Sequence, residues 1–261
     1  MARTSRILAL SVAVVTATTL MCTAAPAASA VAAGWHPSAR PTSLRSVAGD
    51  SIEPRTGGLM FSGPKYIGGR KAIYLTFDDG PATSGTPQVL AALRSQRVRA
   101  TFFELGSLTS TSAGRTLAAR VHAAGMPIGL HSWSHPNMAR WSASAVSRDL
   151  ARTSAAIRSA TRQIPTCLRP PYGAFGSGVT AAANSRHLRV VLWDIDPRDW
   201  TSPGSSAVAS RVISHLHPGA IVLMHDGAGH GRQAAAAIPT IVRAARAKGY
   251  VLGTLCPMDS P

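Results

Sequence analysis

Ala72-Ile73-Tyr74-Leu75-Thr76-Phe77 runs straight into Asp78-Asp79-Gly80-Pro81. The first six residues form a short apolar or β-branched run bounded by turn formers, the pattern of a strand covered on both faces. Two carboxylates therefore stand where that strand ends. The same grammar recurs on the C-terminal side. Short apolar runs at 100–105, 126–130, 167–168, 188–193, 220–224 and 250–255 alternate with longer, often Ala-rich stretches at 86–96, 113–124, 142–160, 178–185, 205–216 and 231–248 that read as helices. Ser142 and Ser205 stand where N-caps are expected. This alternation predicts an α/β fold with a parallel sheet under helices. About seven strands with helices between them suit an incomplete (β/α) barrel better than an open sheet.

In such folds chemistry gathers at the carboxyl ends of strands. Here those ends carry Asp78-Asp79, His131-Ser132-Trp133-Ser134-His135, Arg169-Pro170-Pro171-Tyr172-Gly173, Asp194-Ile195-Asp196-Pro197-Arg198-Asp199-Trp200 and His225-Asp226. The chain has only 11 acidic residues, and those at 78, 79, 194, 196, 199 and 226 fall in these segments. Each piece alone has a plainer reading: a helix cap, a tight turn, a buried histidine. Together they make a site. His131 and His135 are four apart, which on one helical turn puts both rings on one side. With one carboxylate they form a two-His, one-carboxylate site for Zn²⁺ or another divalent metal. Such an ion lowers the pKa of bound water from ~15.7 toward ~7. A neighbouring carboxylate can take the proton, an arginine can hold that carboxylate ionised, and a further histidine oriented by another carboxylate can protonate a leaving group.

Farther out, the composition sets the context. Hydrophobic residues make up 45% and charged residues 15%, enough apolar content to exclude a wholly disordered chain. Residues 31–68 are rich in Pro, Ser, Gly and Arg and read as a linker, with the folded domain expected over 69–258. Arg3 and Arg6 precede an apolar run from Ile7 to Leu20, and Ala28-Ser29-Ala30 offers small residues for cleavage. Residues 1–30 thus read as a secretory signal peptide, which predicts a secreted protein with no stable membrane anchor after cleavage. Met21 before Cys22 argues against a lipoprotein. Losing Arg3 and Arg6 takes the net charge from +16 to +14, a balance that favours anionic cell-wall polymers or membrane surfaces. Nucleic-acid binding is not expected: there is no recognition motif, and aromatics are 5%. Cys167 and Cys256 remain after cleavage, and an even pair in an oxidising compartment predicts a disulfide.

The strand-end segments resemble the five ordered motifs of the polysaccharide deacetylases, the NodB-homology or carbohydrate esterase family 4 enzymes, over about 70–256. The resemblance implies a distorted (β/α) barrel, one divalent metal, commonly Zn²⁺ with Co²⁺ and others also suited, and hydrolysis of acetyl groups. It makes Asp78 the general base, Asp79, His131 and His135 the metal ligands, and Arg169 the residue that positions Asp78. It gives the Tyr172 backbone N–H to the oxyanion, makes His225 the general acid oriented by Asp199, and lines the acetyl pocket with Trp200, Leu223 and Pro171. Leu130 stands where many relatives carry Asn, a departure that removes no ligand. The implied substrate is an N-acetylated polysaccharide: peptidoglycan, then chitin oligomers, then O-acetylated xylan. An inactive glycan-binding module is a rival reading. So is a two-His, one-carboxylate iron oxygenase, which would leave Asp78, Arg169 and His225 without a use.

Overall fold

The computed structural model describes residues 58–257; the expected signal peptide and the linker up to 57 lie outside the described residues. The axis of the fold is β3 (Arg70–Gly80), the strand read first from the sequence, which is 11 residues long. Its side chains alternate. Ile73, Leu75 and Phe77 face the helix layer, while Ala72 and Tyr74 pack inside the barrel with Phe103, Cys167, Val191, Ile221 and Leu255.

Around β3 the chain runs β1 (Leu59–Met60), β2 (Tyr66–Ile67), β3, α1 (Thr86–Ser95), β4 (Thr101–Glu104), α2 (Gly106–Thr109), α3 (Ser112–Ala123), β5 (Ile128–Leu130), α4 (Ala143–Thr161), β6 (Cys167–Leu168), α5 (Ser177–Ser185), β7 (Arg189–Val191), α6 (Ser205–Ser214), β8 (Ile221–His225), α7 (Gly231–Ala247) and β9 (Val251–Gly253). Two 3₁₀ turns, Pro171–Gly173 and Asp199–Thr201, follow β6 and β7. The sheet is parallel from β7 through β6, β5 and β4 to β3, with β8 and β9 also parallel to β3 and β2 antiparallel to it. The expected distorted, incomplete barrel is present. Between β7 and β8 the ring is bridged at a single position, Ile195↔Val222.

The linker expected over 31–68 ends earlier than its composition suggested. Leu59 and Met60 pair with Val190 and Val191, and Tyr66 and Ile67 pair with Lys71 and Arg70. Two-residue strands carry no periodicity, so this edge of the sheet was invisible in the sequence. Ser142 caps α4 as expected, its Oγ accepting the Ala145 N–H at 3.3 Å. Ser205 does not cap α6; it is the first helical residue, and Gly204 is the cap. No helix among the described residues is long and apolar enough to cross a membrane.

Cys167 and Cys256 form the expected disulfide, with Cα atoms 5.5 Å apart. It ties β6 to the segment after β9. The same segment is held to β4, where Thr101 Oγ1 donates to the Leu255 carbonyl and accepts from its N–H.

Candidate active site

Asp78 and Asp79 end β3 with different jobs. Asp78 follows the strand alternation into the barrel, whereas Asp79 has φ 69° and so turns out of the ladder. Its Oδ1 lies 3.4 Å from His131 Nε2 and 3.4 Å from His135 Nε2. Two ligands ~2.0–2.1 Å from a tetrahedral ion stand ~3.3–3.4 Å from each other, so these spacings suit a shared divalent metal. Asp79 Oδ1 is also buried with no hydrogen-bond partner, and the three donor atoms all lie within 4.8 Å of one another. His131 Nδ1 bonds the Arg169 carbonyl at 2.7 Å, which puts the proton on Nδ1 and leaves Nε2 with a lone pair for a metal. Burial works against the charge of Asp79, but the close imidazoles of His131, His135 and His225 outweigh it and hold the carboxyl well below its usual range.

The expectation that His131 and His135 share a helical turn is corrected. They lie in a loop, and their rings stand 5.1 Å apart, centre to centre. Ser132 and His135 have φ of 69° and 63°, left-handed positions that non-glycine residues occupy at a cost of ~1–2 kcal/mol each. The loop is held by Ser132 Oγ, which accepts the His135 N–H at 3.0 Å, and by Asp149 on α4, which accepts the Trp133 N–H at 2.8 Å. Asp149 was missed in the sequence. Its signal was a lone acidic residue on what proves a 19-residue helix.

Arg169 is fully buried inside the barrel. Its Nη1 donates to Asp78 Oδ1 at 2.8 Å and to Thr76 Oγ1 at 2.7 Å, while Nε and Nη2 reach the carbonyls of Val191 and Leu192. The guanidinium also lies over the Phe103 ring, 4.2 Å from its centre. Asp78 is thus a buried carboxylate with one oxygen fixed by a cation. Its other oxygen, Oδ2, lies 3.8 Å from His131 Nε2, beside the proposed ligands.

His225 ends β8, with Asp78 as its register partner. Asp199 is fully buried and grips it twice: Oδ1 bonds the ring Nδ1 at 2.8 Å and Oδ2 accepts the backbone N–H at 2.8 Å. Gln233 donates to the Asp199 carbonyl from α7. Burial alone lowers the pKa of His225, but the Asp199 bond and charge, with Asp78 and Asp79, push it up to about 9. The ring is held charged, with Nε2 left to give a proton outward.

The other expected residues surround this centre. Tyr172 sits at φ 61° in the turn after Arg169, with its ring 4.5 Å from that of His135 and largely exposed. Pro171 and Leu223 are buried, and Trp200 is half-exposed under the Arg198 guanidinium. Asp196 accepts the Arg198 N–H and Asp194 the Ile221 N–H. Asp226, which had no role from sequence, is buried against the Thr86 hydroxyl.

A polysaccharide deacetylase family model matches residues 65–191, the stretch that carries Asp78, Asp79, His131, His135, Arg169 and Tyr172. A chitooligosaccharide deacetylase of Bradyrhizobium sp. (strain ANU 289) is 40% identical over 162 residues, covering 62% of this chain and 73% of that protein. The chain belongs to the polysaccharide deacetylase family. As a polysaccharide deacetylase it is a hydrolase acting on amide bonds. The peptidoglycan-N-acetylglucosamine deacetylase PgdA of Listeria monocytogenes is 37% identical over 185 residues, which span 71% of this deacetylase but only 38% of PgdA. Among solved structures, the Bc1960 peptidoglycan N-acetylglucosamine deacetylase superposes with a TM-score of 0.71 at 29% identity, over 76% of this chain and 90% of that one. BA3943 of Bacillus anthracis, described as a CE4 family pseudoenzyme, gives 0.69 at 28% identity, over 78% and 68%. Backbone likeness therefore does not separate active from inactive deacetylases; the side chains at the site must.

Proposed function

We propose that this chain is a secreted, metal-dependent deacetylase that removes N-acetyl groups from a glycan containing N-acetylglucosamine, either peptidoglycan or chitin-type oligomers. One observation carries the reading. The cradle of Asp79, His131 and His135 is adjoined by Asp78, which Arg169 holds, and His225, which Asp199 holds. An inert binding module has no need for two buried, charge-matched pairs beside a ligand set.

A divalent ion held by Asp79, His131 and His135 would acidify the attacking water and draw electron density from the acetyl carbonyl. Asp78 takes a proton from that water. Arg169 keeps Asp78 aimed, because its guanidinium cannot leave the barrel without breaking bonds to three other oxygens. As the carbon–oxygen bond forms, charge grows on the carbonyl oxygen, and the Tyr172 backbone N–H helps to hold it. His225 then donates its proton to the amide nitrogen. The carbon–nitrogen bond breaks, acetate leaves, and the sugar keeps a free amine. Trp200, Leu223 and Pro171 wall the acetyl methyl. The names of the relatives support the substrate class, and the basic leader with its Ala-Ser-Ala end supports export.

The test is acetate release from N-acetylglucosamine oligomers, peptidoglycan and acetylated xylan, with and without a chelator, for wild type and Asp78→Asn. Release should need metal and should fall by at least ~10²-fold in the variant, the scale of a lost general base. Binding without release would favour a glycan-binding module. Release from xylan alone would move the assignment to an O-acetyl esterase.

A further inference from the structure

Among the described residues, exposed negative charge is almost absent. The exposed carboxylates are Asp194 and Asp196, and both are already engaged, Asp194 by the Ile221 N–H and His217, Asp196 by the Arg198 N–H. The other acidic side chains are buried or belong to the cleft. Most of the cations, by contrast, stand on the surface, Arg169 being buried, and six of the exposed ones gather at one end of two packed helices.

In a parallel barrel the helices run back against the strands, so helix C-termini gather at the end opposite the site. Arg94 lies in the last turn of α1, with Arg97 and Arg99 just beyond it; Arg243, Arg246 and Lys248 close α7. The two helices pack side by side, and Arg246 Nη2 donates to the Gln96 carbonyl at 2.8 Å, which brings both ends onto one surface. All six side chains are exposed, and no carboxylate among the described residues pairs with any of them. One cation per helix end complements the helix dipole. That accounts for Arg94 and Arg246 but not for Arg97 and Arg99, which lie outside any helix. With a Debye length of ~8 Å at physiological salt, neighbouring charges here are only partly screened and repel.

We propose that this end of the barrel docks on a linear polyphosphodiester without bases, of the poly(glycerol phosphate) kind. Its strongest match is chemical. Five of the six cations are arginines, whose planar forks bind phosphate oxygens in pairs. The exposed residues between them, Ser95, Ala247 and Gly249, offer no ring for a base to stack on. Two exposed apolar side chains, Tyr66 and Ile67, stand at this same end of β3, paired with Lys71 and Arg70, so an anionic membrane is the competing partner that the vesicle arm of the experiment reads. The docking face and the site lie at opposite ends of β3. Arg70 and Asp78 are eight residues apart on that strand, ~26 Å at ~3.3 Å per residue. A chain held by this face therefore keeps its cleft open to a neighbouring glycan.

The experiment measures retention of the full chain on immobilised poly(glycerol phosphate) as a function of salt. Three variants are compared with wild type: Arg94→Gln/Arg97→Gln/Arg99→Gln/Arg243→Gln, the same four positions changed to Lys, and a control with equal charge loss elsewhere, Arg115→Gln/Arg140→Gln/Arg148→Gln/Arg232→Gln. The slope of log affinity against log salt should fall by about 3 in the first variant, at ~0.7 per lost phosphate contact on a flexible strand. It should be nearly restored by Lys and nearly untouched in the control, and acetate release from soluble oligomers should not change in the Gln face variant. Equal loss in the face and control variants would overturn the proposal, as would failure of wild type to bind. Tighter retention on duplex DNA, on a carboxylated polysaccharide or on phosphatidylglycerol vesicles would overturn it too, and would name the other partner.

Discussion

Asp199→Asn separates the proposed acid from a merely structural histidine. The carboxylate holds the His225 ring and backbone at 2.8 Å each, and it is the largest of the influences that raise the histidine to about 9 against the lowering effect of burial. An amide keeps the shape and loses the charge. The His225 pKa should then fall to ~6.5 or below, a change of ~2.5 units or ~3 kcal/mol in favour of the neutral ring. An acid catalyst works in proportion to its protonated fraction. At about pH 7 the wild type is ~99% protonated and the variant ~25%, a ~4-fold difference; at about pH 9 the fractions are ~50% and ~0.3%, a difference of ~150-fold. A divalent ion at Asp79 offsets what the two cleft carboxylates contribute but leaves the Asp199 contribution, so wild type and variant still diverge as pH rises. The assay is kcat/KM for acetate release across pH, with ring protonation followed by NMR on the same samples. A wild-type to variant ratio that stays constant across pH would refute the assignment of His225 as the acid, because lost orientation alone carries no pH signature.

Three other perturbations test separate parts of the reasoning. Arg169→Met leaves Asp78 buried and unpaired, so it should cost ~3–5 kcal/mol in denaturant unfolding as well as abolishing acetate release. Asp149→Leu should free the Trp133 N–H and loosen the 131–135 loop; metal titration should show affinity ~10–100-fold weaker, while metal-saturated turnover suffers less. Removing the Cys167–Cys256 bond by Cys256→Ser opens a loop with a sequence separation of 89, so unfolding should cost ~4–5 kcal/mol less, with Zn²⁺ affinity unchanged because neither cysteine is a ligand.

The order of elements was legible because the fold buries each parallel strand on both faces. A run such as 72–77 can then only be apolar, and the polar residues must wait for the strand's end. That is why Asp78, Asp79, His131, Arg169, Asp199 and His225 could be read as one site from five separate stretches. What escaped has physical reasons. β1 and β2 are too short to carry a period. Ser205 looked like a cap because serine often is one, whereas here Gly204 makes the turn with φ 89°. The 131–135 loop looked helical because spacing of four has two solutions, and the deciding contact, Asp149 to Trp133, spans 16 residues. Thr76, which bonds Arg169 and the Val222 carbonyl, was hidden because a threonine in a strand is ordinary. Long-range hydrogen bonds leave little local trace in composition.

Asp226 and Glu104 show what the same burial does to acids that find no cation. Both lie on the helix side of β3 near Gly80: Asp226 takes a hydrogen bond from Thr86 and Glu104 one from Thr109, and one oxygen of each is buried without a partner. A Cβ at Gly80 would meet Asp226 Oδ2 at 2.5 Å, so glycine is what lets this carboxyl lie beneath the strand. Burial first, then the charges of Asp79 and Asp78, push Asp226 up to about 7, and burial with the Asp226 charge raises Glu104 well above its usual value. The sign follows from proton counting. Between the unfolded value of ~3.9 and about 7 the folded chain binds the extra proton, so stability is greatest on the acid side and is lost as pH rises through that window. For Asp226 alone the loss is about 4 kcal/mol above neutral pH. Asp226→Asn removes the charge and still accepts from Thr86. The variant should melt at a higher temperature than wild type at about pH 8 and at nearly the same temperature at or below about pH 4. Equal melting shifts at both would mean that Asp226 is already paired or solvated, and that the crowding of carboxylates under the site carries no cost.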